Sequence, residues 1–124
     1  MIVPEFLLRR LYVRGSLCNT AAGVEFELKN SLGGGYASGM LPISVDGSPV
    51  ALDDCFFRSG EGLVPFTAVT QEAPFTLARD LVITVSVRRP PIEAGNHTLR
   101  VGFIVLGLGE LAFEVTDVVA EQQR

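Results

Sequence analysis

Histidine, cysteine, charge and long apolar runs are all scarce in this chain of 124 residues. The one histidine, His97, has no second imidazole to join it, so a metal site would need converging carboxylates instead. No G-x-S-x-G elbow offers an activated serine for a Ser-His-Asp triad, and neither cysteine has a local catalytic signature. The two cysteines, Cys18 and Cys55, make a disulfide possible by count without implying one; small buried hydrophobes are the expected role. Charged residues make up only 19% and the net charge is −4, with no basic stripe, which argues against nucleic-acid binding. No apolar run approaches the roughly 20 residues of a membrane span. The opening MIVPEFLLRRLYVRGSL is broken by Glu5 and Arg9–Arg10 and lacks the layout of a secretory signal, so the expected location is cytoplasmic. On that expectation the Asn96-His97-Thr98 glycosylation sequon is idle.

What the chain does have is alternation. Val24, Phe26 and Leu28 alternate with Glu25, Glu27 and Lys29, the pattern of a half-buried strand. Leu81, Ile83, Val85 and Val87 repeat it, as do Leu99, Val101, Phe103 and Val105, and then Leu111, Phe113 and Val115. Residues 6–13 are weaker but compatible with a strand, and 67–73 have room for one short helical turn. Thirteen glycines and seven prolines cut the chain into short pieces, and Asp46-Gly47 marks a tight turn. Short strands with turn signals between them predict an all-β fold: a single antiparallel β-sandwich, jelly-roll or immunoglobulin-like, with little or no helix. One domain is expected, with its core over roughly 6–117 and a frayed tail at 120–124. Hydrophobic residues reach 48%, more than a small domain readily hides, so part of that surface is expected in a subunit interface.

Four stretches are candidates for function. Pro90-Pro91 and Glu93-Ala94-Gly95-Asn96 read as a corner between sheets, with His97 at its exit in a structural role rather than a catalytic or metal-binding one. The stretch Leu32-Gly33-Gly34-Gly35-Tyr36-Ala37-Ser38-Gly39 has neither the lysine nor the following helix of a phosphate loop. It reads either as a flap over a pocket or partner, anchored by Tyr36, or as a plain long connection. Asp53-Asp54 reads as a solvated turn rather than a catalytic pair or calcium loop. The pairs Arg9-Arg10 and Arg88-Arg89 fit protected sheet edges or an interface better than an anion site.

Two resemblances bear on these segments. GVEFELKN (23–30), ISVDGSPVALDDCFF (43–57), APFTLARDLVITV (73–85) and IEAGNHTLRV (92–101) follow in an order similar to that of the small β subunit of bacterial C-glycoside deglycosidases. That resemblance implies a β-sandwich bracing the active-site mouth of a larger TIM-barrel subunit. The barrel would hold the divalent metal and the catalytic residues, leaving no catalytic residue, cofactor or metal in this chain. Its partner or pocket contacts would be Gly33, Gly34, Gly35, Tyr36 and Met40 in the 32–41 loop, with the Gly95–His97 turn as scaffold. That family's loop is richer in aromatic and basic residues than Gly-Gly-Gly-Tyr. Separately, FLLRRLYVRGSL (6–17) resembles the opening of small proteins labelled hydroxymethylglutaryl-CoA reductase. A complete reductase needs a cofactor fold that this β pattern does not supply, so the label is not expected to describe an activity.

The reading that follows is a non-catalytic accessory sandwich docking onto a larger carbohydrate-active enzyme, with Arg88, Arg89 and His97 joining the loop among its contact residues. A self-assembling sandwich and a stand-alone enzyme or small-ligand binder, using Tyr36, Asp53, Asp54 and His97, are the alternatives.

Overall fold

The computed structural model describes residues 3–30, 36–59, 62–76 and 79–119. Its strands in chain order are β1 (Cys18–Asn19), β2 (Val24–Lys29), β3 (Tyr36–Ala37), β4 (Gly39–Met40), β5 (Ser44–Val45), β6 (Ser48–Pro49), β7 (Cys55–Ser59), β8 (Gly62–Pro65), β9 (Phe75–Thr76), β10 (Val82–Val87), β11 (Gly95–Val105) and β12 (Gly109–Val119). One five-stranded sheet runs β1-β2-β10-β7-β8; the other runs β12-β11-β5-β6, with β4 also on β11, and β3 pairs β9 apart from both. Every strand pairing is antiparallel. The chain is an all-β antiparallel sandwich.

Alternation places the core. Val24, Phe26 and Leu28 of β2, Ile83, Val85 and Val87 of β10, and Cys55 and Phe57 of β7 line one inner face. Leu99 and Val101 of β11 and Phe113, Val115 and Val119 of β12 line the other. Phe57 stacks on Phe75 with ring centroids 3.8 Å apart and tilts against Phe66 at 4.6 Å. A buried aromatic in such a cluster contributes several kcal/mol, so truncating Phe57 would cost roughly 3–5 kcal/mol. The Asp46-Gly47 turn joins β5 to β6 with φ of 52° and 84°, the paired positive values that suit a right-twisted hairpin.

The N-terminal segment departs from expectation. Residues 6–13 were expected as a possible strand, but Glu5–Leu8 form a helix, α1, and Arg9–Leu11 a 3₁₀ turn. The buried residues Leu8, Leu11 and Tyr12 fall at i, i+3 and i+4, which is helical spacing. This segment bridges both sheets along one side of the sandwich. Val13 N–H donates to the Glu27 carbonyl of β2 at 3.0 Å. Arg9 Nε donates to the Glu114 carbonyl of β12 at 2.9 Å, and Arg14 donates to the Thr116 carbonyl at 2.8 Å. The Glu5 carboxylate accepts from Glu114 N–H at 3.0 Å. Side chains thus occupy backbone groups of an edge strand that would otherwise be open to pairing. The clasp is pinned by the Tyr12 hydroxyl, which donates to Asp117 Oδ2 at 2.5 Å, and by Gly15 N–H, which donates to the same oxygen at 2.9 Å. The expected short helical turn near 67–73 is a 3₁₀ turn at Phe66–Ala68.

Candidate functional site

The long β11–β12 ribbon divides into two halves along its outer face. Near its base that face is mostly polar, although it also carries the exposed Val118 opposite Asn96. Thr98 and Thr116 hydroxyls are 3.2 Å apart, and Arg100 pairs with Glu114 at 3.7 Å. Toward its tip the same face carries Gly102, Ala112 and Ile104, with the exposed Glu110 opposite Ile104. Gly102 is buried between Leu41 and Ala112; a Cβ placed there would sit 2.6 Å from the Leu41 methyl. Gly39 likewise lets the Ile104 side chain lie across it, 3.0 Å from where a Cβ would be. These two glycines flatten the face, so that Leu41, Ile104 and Ala112 form a half-buried strip.

Beyond the strip the ribbon turns through Leu106, Gly107 and Leu108. Leu106 is 60% exposed and Leu108 36%. Tyr36, 49% exposed, lies in β3 opposite Thr76 of β9, and two residues on Ser38 N–H donates to the Ile104 carbonyl at 2.8 Å. Tyr36 is therefore where the loop reading put it, at a surface. Met40 is not: it is a core residue opposite Phe103, because β4 turns its side chain inward. Gly33, Gly34 and Gly35 lie outside the described residues, as does the tail expected to fray at 120–124.

The 88–97 corner is tied inward. Arg88 lies 4.7 Å over the Phe56 ring and 3.8 Å from Asp54, and Arg89 Nε donates to the Pro90 carbonyl at 2.9 Å. Asn19 exchanges two hydrogen bonds with the Ile92 backbone, at 2.8 and 2.9 Å, and so behaves like one more rung of strand. His97 has its Nδ1 2.6 Å from Asp46 Oδ2 and its Nε2 2.6 Å from the Glu93 carbonyl. Its hydrogen bond to Asp46, then that to Glu93, holds the imidazole above its ordinary 6.5. Asp46 is held below the usual carboxylate range by His97 and by Thr98 N–H. Both His97 nitrogens are engaged within the fold, so the scaffold role expected of it agrees with the geometry, and a contact role has no free ring atom to use.

The cysteines separate. Cys55 is buried, and burial chiefly pushes its thiol up. Cys18, expected to be buried, is exposed on the short edge strand β1, opposite Glu25. Desolvation first, then the charges of Glu25 and Glu27, raise its thiol too, so neither sulfur is primed as a nucleophile. Sequence reasoning missed Glu25 itself, a buried carboxylate on an outward face, held by Arg58. Asp53 and Asp54 sit in a 3₁₀ turn ahead of β7, in keeping with the solvated-turn reading. Among the described residues no group of three or more His, Cys, Asp or Glu could hold a metal ion, and no buried side-chain nitrogen or oxygen lacks a partner. No helix among them is long and apolar enough to cross a membrane.

Residues 7–120 match the family described as hydroxymethylglutaryl-CoA reductase, N-terminal domain, and the chain belongs to that family. No curated protein matches it. The match overturns the resemblance to the β subunit of C-glycoside deglycosidases. The segments behind that resemblance are an alternating strand, an Asp-Gly hairpin, an acidic turn and a Gly-x-His corner, elements that antiparallel sandwiches share whatever their ancestry. The metal-bearing barrel partner was implied by that resemblance alone. The similarity of residues 6–17 to proteins labelled as the reductase, in contrast, points to the same family as the match.

Proposed function

We propose that this chain is a non-catalytic domain that holds a larger protein against the apolar half of the β11–β12 ribbon. The observation that carries the reading is the apolar strip of Leu41, Ile104 and Ala112 with the exposed Leu106 and Leu108 beyond it, bordered by Glu110 opposite Ile104. Exposed apolar surface of this kind is costly to leave in water, and each fully covered leucine contributes roughly 2 kcal/mol to whatever covers it. The family description supports the setting, since it names a domain at one end of an enzyme. It does not transfer the reductase activity. Dinucleotide-dependent reductases of the common type use parallel strands with a glycine-rich turn leading into a helix, and the strand pairings here are antiparallel.

The test compares the wild-type chain with a Leu106→Asp, Leu108→Asp double variant. Each is mixed with the enzyme body captured by the wild type and then purified, and the mass is read by light scattering. A stoichiometric complex for the wild type, weakened at least about 100-fold in the variant, supports the reading. A mass made up only of copies of this chain would make it a self-assembling sandwich instead. Hydride transfer from a nicotinamide to hydroxymethylglutaryl-CoA by the chain alone would overturn the non-catalytic assignment.

A further inference from the structure

We propose that His97 is a proton-operated latch: as an imidazolium it pins the β5–β6 turn to the corner at residues 90–97, and on losing its proton it lets one tie go. A neutral imidazole has one N–H and one bare nitrogen. Both neighbours of His97 are acceptors, the Asp46 carboxylate on one side and the Glu93 carbonyl on the other, each at 2.6 Å. Only the doubly protonated ring donates to both. A neutral ring must leave one of them facing a nitrogen lone pair at close range, which is repulsive.

Asp46 is well placed to transmit the change. It sits at φ 52° in the β5–β6 turn, and its other oxygen accepts from Thr98 N–H at 2.9 Å. Asp46 N–H in turn donates to the Thr98 carbonyl at 2.8 Å. One carboxylate therefore joins the turn, the start of β11 and the imidazole. The other charges around the ring are few. Arg89, on the preceding segment, opposes its protonation. Asp117 of β12 is its partner in register, but that carboxylate is taken by Tyr12, Gly15 and Val118. The Glu93 carbonyl and the Asp46 carboxylate dominate.

The linkage has a sign on each side. His97 is raised, so its contribution is fully present below 6.5 and is lost as pH climbs through the higher folded value. Asp46 is lowered, so its contribution is present above the ordinary carboxylate value and is lost as pH falls through the lower folded one. The latch is closed between those limits and opens on the alkaline side by loss of one proton.

Because His97 is the sole histidine, its ring nitrogens give unambiguous nitrogen NMR signals. The expected result is a doubly protonated ring that titrates above 6.5. An Asp46→Asn variant, whose asparagine tolerates the positive φ, should titrate lower than the wild type. Amide-exchange protection at Thr98, corrected for intrinsic rate, should fall about fivefold across the wild-type titration and stay flat across the same range in the variant. A midpoint at or below 6.5 in the wild-type chain overturns the latch, as does a midpoint unmoved by Asp46→Asn. Flat Thr98 protection in the wild type would show that the ring titrates without releasing the turn, and overturns it equally.

Discussion

The base and the tip of the β11–β12 ribbon are built on opposite principles. At the base, polar groups answer one another inside the fold: Tyr12 and Gly15 on Asp117, His97 on Asp46 and Glu93, Thr98 beside Thr116. At the tip, two glycines flatten the surface and leucines stand exposed beyond it. The base is self-sufficient because a buried donor or acceptor without a partner costs more than a satisfied one contributes. The tip is not self-sufficient, because apolar surface gains only when something covers it. The same two strands thus anchor the sandwich at one end and, on the proposed reading, offer it to a partner at the other.

Substitutions at the base should break this contrast most strongly. Asp117→Ala strands the Tyr12 hydroxyl and Gly15 N–H, and should lower the unfolding free energy in urea by about 3 kcal/mol. Burial alone would raise the Asp117 carboxyl, but the bonds from Tyr12, Val118 and Gly15, together with the charge of Arg14, bring it below its ordinary value. Its stabilisation is therefore present above the usual carboxylate range and lost on acidification, and the acid limb of a stability–pH curve should flatten in the Ala variant. Tyr12→Phe keeps the packing against Phe26 and removes only the hydroxyl, so about 1 kcal/mol should go. The phenol is pushed up by burial and then by Asp117, so it stays protonated through the neutral range. His97→Gln should cost less than about 1 kcal/mol near neutral pH, since half of Asp46 is open to water, and it should abolish the alkaline step in melting temperature. At the tip, Leu106→Asp with Leu108→Asp should leave the melting temperature within a degree or two while abolishing association. A tip variant that unfolds as readily as Asp117→Ala would dissolve the distinction between the two ends.

Much of the sandwich was legible because its long strands are amphipathic with period two. Val24–Leu28, Ile83–Val87, Leu99–Phe103 and Leu111–Val115 face the core as their alternation indicates, whereas Leu81, read in the same series, is exposed, and Asp46-Gly47 turns where such a pair must. The N-terminal segment was misread because six apolar residues in eight fit either period, and only the contacts with β12, about a hundred residues away, decide between them. The same limit applies to His97. Its corner is local and readable, whereas Asp46 lies 51 residues earlier and reaches it only through the pairing of β5 with β11. Met40 was assigned to the surface with its glycine-rich neighbours, but β4 is too short to show an alternation of its own.

The clasp also has a consequence for synthesis. Glu5, Arg9, Tyr12 and Arg14 emerge from a ribosome about a hundred residues before the groups they meet, the backbone of Glu114 and Thr116 and the Asp117 carboxylate. The sheet β1-β2-β10-β7-β8 can collapse during translation, yet the side of the sandwich remains open until β12 is out. Folding dominated by such distant pairings is slow. Residues 5–14 should therefore stay uncommitted until β12 is made, and the open strands beside them are what a chaperone would have to shield.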